Sequence, residues 1–379
     1  MSEIVLIAGA GPVGLTLAAE LRRYGVTVRV VEKAVSAASQ SRALFLWSRT
    51  LELLDRGNSA APLIAAGEKV DALNIFSGAK HIGRVDFADI DSPYKFALML
   101  PQAETERILA AQLAQYDVTV ERGTELTGFT DEGRCITASL RHADGTLETV
   151  EAAYLVGCDG GGSFVRKALG LSSTGPAQQS TWLLADVQLD GFASPRNEIT
   201  SFWHEDGFLG LFPIPGGLYR VIADLQDANN AAPREATLAQ VQEILDRRGA
   251  GGVTASNPAW LSSFRVQERN VTSYRSGRVF LAGDAAHLHN PVGAQGLNMG
   301  IHDVVNLAWK LAIAKRGAGN SEKLLDSYTK ERHAVAAHVV ANLGRAEMLA
   351  VVHSPTVQFA RNLLGNIFFG LAPARRALA

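Results

Sequence analysis

The run Gly9-Ala10-Gly11-Pro12-Val13-Gly14 constrains this chain more than any other, because of what flanks it. Before it, "EIVLIAG" is a continuous apolar stretch, suited to a strand buried on both faces of a parallel sheet. After it, residues 12–24 carry helical apolar spacing, and "VTVRVVE" reads as a second strand that ends on Glu32. A GxGxxG alone is a weak signal. One that closes a strand, opens a helix and is followed by a carboxylate at the end of the next strand is a strong one. Gly9, Gly11 and Gly14 let the backbone approach a pyrophosphate, and the helix N-terminus adds partial positive charge. Glu32 is placed to accept hydrogen bonds from ribose hydroxyls, and its charge repels a 2′-phosphate, so this turn is not expected to hold NADP.

Two further strand-to-helix turns lie far downstream. "CDGGGSFVRKALG", residues 158–170, puts Asp159 at a strand end, with Ser163 and Arg166 one helical turn apart. "LAGDAAHLHNPVGAQGLNMGI" puts Gly283 and Asp284 at another, followed by Gly296, Leu297 and Asn298 at the start of a long helix. Taken alone, the first of these also reads as an N-capping aspartate and the second as a glycine-rich helix start. Three such turns in one chain suit a ligand too long for any one of them, and FAD fits. Its ADP half belongs on the first turn, its ribityl hydroxyls near Asp284, and its isoalloxazine, which gains negative charge on reduction, at the helix start 296–298.

The remaining pattern fills in the architecture. "PQAETERILAAQLAQ" is a helix with acids in its first turns, and residues 118–159 read as strands with turns at Glu132-Gly133 and Asp144-Gly145. From about Ser172, four strand-like runs broken by Gly, Pro, Asn and Asp imply an antiparallel sheet inserted into the first domain. Residues 296–316 and 321–349 are helical. The fold class is therefore α/β, a Rossmann-like domain with an inserted antiparallel sheet and C-terminal helices.

Apolar residues make up 47% of the 379, enough for a large core, and a net charge of −2 without a basic run argues against nucleic acid. Cys135 and Cys158 form no CxxC, which suits a reducing compartment, and the N-terminus has no basic region of a signal peptide; a cytoplasmic location is expected. No apolar stretch is long enough for a transmembrane helix. His287 and His289 lack a carboxylate or cysteine ligand set, so no metal is expected. The apolar, basic tail from about 355 is open to packing on the body, which is the default, to a homodimer contact, or to a membrane surface.

"IAGAGPVGLTLAAELRRYGVTVRVVEK", "CDGGGSFVRKALG" and "GDAAHLHNPVGAQGLNMGIHDVVNLAWKLA", in this order and spacing, resemble the FAD-dependent aromatic hydroxylases, the single-component class A flavoprotein monooxygenases, nearest in flavour to polyketide and phenol hydroxylases. The resemblance spans residues 1 to about 335. Many of those enzymes carry a further thioredoxin-like domain, and none is expected within these 379 residues. The resemblance implies a Rossmann-like domain of residues 1–70, 98–172 and 266–320, a substrate-binding sheet domain of 71–97 and 173–265, and a helical segment 321–379. It implies Gly9, Gly11, Gly14 and Glu32 at the ADP part, Arg42 near the FAD phosphates, Gln102 near the ribityl and ribose portion, Asp159 in a motif tied to FAD and NAD(P)H, and Gly283 and Asp284 at the ribityl chain. Pro291 and Gly296–Leu297–Asn298 would lie against the flavin ring, with Pro291 and Asn298 where oxygen reacts. The implied chemistry is reduction of FAD by NADPH or NADH, reaction with O2 to a C4a-hydroperoxide, and transfer of one oxygen atom to an aromatic ring, with the nicotinamide in a groove near Arg42 and Arg166. Trp203, Phe212, Tyr219 and Phe264 are the candidate substrate-lining aromatics. A tetracycline-type drug-modifying monooxygenase and a non-catalytic FAD-binding partner protein are the alternatives.

Overall fold

The computed structural model describes residues 3–37, 43–175, 180–225, 235–266, 268–288 and 293–350. Among these are helices α1 (Pro12–Arg23), α2 (Ser48–Asp55), α3 (Ala60–Ala66), α4 (Gln102–Ala114), α5 (Phe164–Ala168), α6 (Leu238–Arg248), α7 (Gly296–Lys315) and α8 (Ser321–Ala350). The tail beyond 350 lies outside the described residues, and none of these helices is long and apolar enough to cross a membrane.

The nucleotide fold is a six-stranded sheet with Val5–Ala8 near its middle. That strand pairs in parallel with Val28–Glu32 on one side and Tyr154–Gly157 on the other, and Tyr154–Gly157 pairs in parallel with Val279–Leu281. The three strands that precede the three turns therefore run side by side in one direction, although the last begins some 270 residues after the first. Their carboxyl ends share one edge, where ligands bind in open parallel sheets. All four residues of Val5–Ala8 are buried, as its unbroken apolar run requires.

The seven-stranded sheet draws only on residues 72–86 and 180–266, in the order 254–266, 180–190, 219–225, 207–213, 198–204, 72–77, 80–86. It is antiparallel except where Glu198–His204 meets Ala72–Ser77. Its outer face packs Leu209, Leu211, Val221 and Ala223 against Val241, Ile244 and Leu245 of α6. Val241, Ile244 and Leu245 recur at helical spacing along α6, and Thr237 and Gln240 close a full capping box at its start. The inner face packs Ile199, Phe212 and Ile214 against Leu44 and Phe45, with Trp47 and Ala294 alongside.

One contact sets how the two ends of the nucleotide fold meet. A Cβ on Gly300 of α7 would stand 2.5 Å from Val13 Cγ2 and 3.1 Å from the Cα of Gly283, and a Cβ on Gly283 would stand 3.0 Å from the same Val13 methyl. Gly283 also has φ +60°, where a side chain is strained. The first turn of α1, the end of strand Val279–Leu281 and the start of α7 thus touch backbone to side chain without intervening atoms. The substitution Gly300→Ala should lower unfolding free energy by about 1–3 kcal/mol, the cost of overpacking a close-packed contact; an unchanged urea midpoint would show that this junction yields freely.

Candidate functional site

The first glycine turn is built for close approach. Gly9 has φ +104°, and a Cβ there would lie 2.3 Å from the Cys158 carbonyl; one on Gly14 would lie 2.0 Å from the Gly9 carbonyl. Both glycines are required by packing. Gly11 differs: the nearest atom to its Cβ position is Glu106 Oε1 at 3.9 Å, so the space in front of it is open. The N-cap of α1 has no side-chain hydrogen bond, and Pro12 follows it. Glu32 closes over this turn, its Oε2 accepting from the Ala10 N–H at 3.0 Å and its Oε1 from the Ala34 N–H at 2.9 Å. Gln102, at the start of α4, donates to Glu106 Oε1 at 2.7 Å, which brings it to the same turn. Burial raises the Glu106 carboxyl above its ordinary range, with the nearby Glu32 adding to the effect against Gln102 and Arg122.

At the second turn, Asp159 Oδ2 accepts from the Phe164 and Val165 N–H groups at 2.7 and 3.1 Å, capping α5. Its Oδ1 is buried and has no hydrogen-bond partner. Arg166 does not reach outward as a nicotinamide groove would need: its guanidinium donates to the Gly161 carbonyl at 2.7 Å and the Ala285 carbonyl at 3.0 Å, tying the second turn to the third. Cys158 is a buried core thiol, its pKa pushed up by burial and the adjacent Asp159.

At the third turn, Gly283 and Ala285 are buried while Asp284 between them is exposed. The Cβ position of Gly296 lies 4.0 Å from Asp284 Oδ1, so the carboxylate stands beside the start of α7. The first hydrogen bond of α7 runs from the Met299 N–H to the Gln295 carbonyl, and the side chain of the N-cap residue Gln295 makes no capping hydrogen bond. The N–H groups of Gly296, Leu297 and Asn298 form the partly positive end of the helix. Asn298 is 1% exposed, and its side chain is wholly engaged: Oδ1 accepts from the Trp47 N–H at 2.9 Å, and Nδ2 donates to the Phe45 and Ala294 carbonyls at 3.0 and 2.9 Å. Asn298 therefore positions the helix start, and its amide is not available to a substrate. Arg42, His289 and Pro291 lie outside the described residues.

The four candidate aromatics divide. Phe212 meets Phe45 edge-on at 5.4 Å on the inner face. Phe264 packs there with Trp182 and Leu184, beside Phe208, Ile222 and Trp260. Trp203 is half-buried and shares the side of Ile199 by strand alternation. Tyr219 is a correction: it belongs to the outer cluster with α6, its ring 5.4 Å from Phe192 and 5.0 Å from the Arg196 guanidinium, and it cannot line an inner pocket. A cavity of about 390 Å³ between Phe76, Phe192, Phe202 and Glu198 opens on that same outer face, across the sheet from the inner aromatics. The sequence reading passed over Trp47, whose Nε1 donates to the Gly293 carbonyl at 3.2 Å, and the buried Arg220–Asp186 pair, 2.7 Å apart, beneath Trp260. Trp47 stands in an apolar stretch without a motif, so its only signal was its size.

The described residues include no group of side chains that could hold a metal. They do fit FAD: an open cradle at Gly11, a carboxylate at the end of the second strand, and an exposed carboxylate beside the start of a long helix at the third turn. The FAD binding domain family model matches residues 3–343. The chain belongs to the FAD-dependent aromatic hydroxylases. It is 40% identical to 6-methylpretetramide 4-monooxygenase of Streptomyces rimosus over 98% of this chain and 66% of that protein. To rifampicin monooxygenase of Streptomyces venezuelae it is 35% identical, over 96% and 75%. The solved structure of an anhydrotetracycline hydroxylase from Streptomyces rimosus superposes with a TM-score of 0.82 at 32% identity, covering 100% of this chain and 75% of that one. This hydroxylase chain thus spans about two thirds to three quarters of the length of these relatives.

One titration near the site is predictable. His302, one turn beyond Asn298 on α7 and hydrogen-bonded to Thr50 Oγ1 at 3.0 Å, has its pKa lowered to about 4 by burial, with Arg332 contributing. Between about pH 6.5 and 4 the unfolded chain takes up a proton that the folded chain refuses, so stability falls as pH drops through this window. From pH 7 to pH 5 this group alone should cost about 2 kcal/mol. Urea unfolding of the hydroxylase at both pH values, compared with His302→Gln, should show that much less loss in the variant; equal losses would refute the assignment.

Proposed function

We propose that this chain is a single-component monooxygenase that hydroxylates a planar aromatic or polycyclic, polyketide-like substrate, with FAD as cofactor, NADPH or NADH as electron donor and O2 as co-substrate. The observation that carries the reading is the junction of Val13, Gly283 and Gly300, which puts the exposed Asp284 and the start of α7 on the same edge as the first glycine turn. When bound, FAD would supply the redox chemistry and the activation of oxygen.

The chain's own residues do the rest. The backbone of Gly9–Gly14 cradles the pyrophosphate, and Glu32 accepts from the ribose hydroxyls of the ADP half. Gln102 and Asp159 flank the middle of the cofactor, and Asp284 accepts from a ribityl hydroxyl. The N–H groups of Gly296, Leu297 and Asn298 favour negative charge on the ring system at no cost in reorganisation, because Asn298 has already fixed the helix start. Phe212, Phe264 and Trp203, with Phe208, Ile222 and Trp182, form the inner wall that excludes water and stacks a flat substrate. The names of the relatives favour a polycyclic substrate, and the similarity to rifampicin monooxygenase supports a second reading, modification of a drug.

Two measurements test this. Anaerobic NADPH or NADH should bleach the flavin of the holoprotein, faster with the right polycyclic phenol or naphthoquinol present, and labelled O2 should then deliver one labelled atom to the product. A flavin that no donor bleaches with any such ligand overturns the proposal. Asp284→Ala should weaken FAD binding by ~10-fold or more, as expected for loss of a charged hydrogen-bond acceptor; undiminished affinity would remove Asp284 from the site.

A further inference from the structure

Beneath the third turn lies a buried charged assembly that none of the roles above uses. Asp303 of α7 is 0% exposed, yet it carries a carboxylate in the apolar body of the helix. Its Oδ2 accepts from His287 Nε2 at 2.5 Å and from the Gly283 N–H at 3.1 Å, and its Oδ1 accepts from Arg332 Nε at 2.7 Å. Arg332 belongs to α8. One helical turn earlier, the Tyr328 hydroxyl donates to the carbonyl of Leu281, the last residue of the strand that leads into Gly283 and Asp284. The Tyr274 N–H donates to Thr329 Oγ1 at 3.2 Å, so α8 grips that strand's other neighbour as well.

The geometry points to Asp303, Arg332 and Tyr328 as positioning residues for the flavin half of the cofactor site. Tyr328 and Asp303 hold the backbone that leads into Asp284, Leu281 by its carbonyl and Gly283 by its N–H, and Arg332 holds Asp303 in place. Burial alone would raise the Asp303 carboxyl, but the opposing pull of His287 and Arg332 prevails and keeps its pKa below the ordinary value, so the acceptor for Gly283 stays charged. A free φ +60° glycine has many conformations to lose on binding. With Gly283 pinned, that loss is already met in the folded protein, and the Asp284 carboxylate is preset. The hydrogen bonds that hold the first glycine turn, from the Ala10 and Ala34 N–H groups to Glu32, involve none of Asp303, Arg332 and Tyr328; that turn meets Gly283 through the Val13 methyls. The ADP end and the flavin end of the site are thus held by different sets of hydrogen bonds, and those from α8 go to the second.

This rests on the FAD reading above and is tested separately from it. Asp303→Asn keeps the shape of the side chain but places at most one oxygen where two are needed. Calorimetric titration of the apoprotein with FAD and with ADP alone gives two dissociation constants. The variant should lose ~10-fold or more of its FAD affinity while its ADP affinity stays within twofold of wild type. Arg332→Lys, which keeps the charge but not the fixed direction of the Nε–H, should fall between the two in FAD affinity. The visible absorption band of whatever FAD remains bound should change shape, since the ring's surroundings shift. Equal weakening for FAD and ADP would mean that the assembly only supports the fold, and unchanged FAD affinity would mean that it does not position the turn; either outcome overturns the inference. A wild-type protein that binds ADP but no FAD would instead overturn the cofactor reading itself.

Discussion

The structure depends on one steric fact: no side-chain atom stands between Gly283, Gly300 and the methyl groups of Val13. Interiors are close-packed, so a contact of this kind has little tolerance. It fixes the distance and angle between α1 and α7, the helices that follow the first and third turns. The order of the parallel strands brings the turns to a common edge; this contact decides how closely they face one another there.

A second consequence runs through the short segment 43–47. Asn298 binds the Phe45 carbonyl and the Trp47 N–H, and Arg220 of the inserted sheet reaches the Ala43 carbonyl at 3.4 Å. The segment is thus shared between α7 and the inner face of the sheet. Arg220 is 1% exposed and paired with Asp186, and a buried ion pair is weak evidence of stability. Its place at the boundary between the two sheets suits a role in register, where only one docking satisfies both charges.

What the sequence made legible was local. Gly9, Gly11, Gly14 and Glu32, and likewise Gly283 and Asp284, announce themselves by a strand that stops, a glycine and a helix that starts, and each sits at the edge this grammar implies. The faces of the inserted sheet were not legible in the same way. In "LYRVIADL" the alternation is clear, with Tyr219, Val221 and Ala223 on one side and Arg220 and Ile222 on the other. It groups Tyr219, expected to line the substrate site, with Val221 and Ala223 on one buried side. It does not say which of two cores, because the sheet is covered on both faces and only α6 and residues 43–47 distinguish them. Asn298 shows the reverse problem: its position at the helix start was evident, but whether its amide faced the ligand or the chain depended on Phe45 and Trp47, some 250 residues away. Asp303 had a signal that could have been read, a carboxylate at an apolar position of a long helix.

The pieces of this site leave the ribosome far apart in time. The glycine turn near residue 10 emerges early, whereas Tyr328 and Arg332, which hold the turn that Asp284 stands on, follow only after roughly tens of seconds at ~5–20 residues per second. For roughly the first half of that interval the strand Val5–Ala8 has Val28–Glu32 on one side but lacks its other partner, Tyr154–Gly157, and Val279–Leu281 follows later still. The parallel strands can close only once synthesis has passed Leu281, and the turn that carries Asp284 gains its hold from Tyr328 and Arg332 only after that.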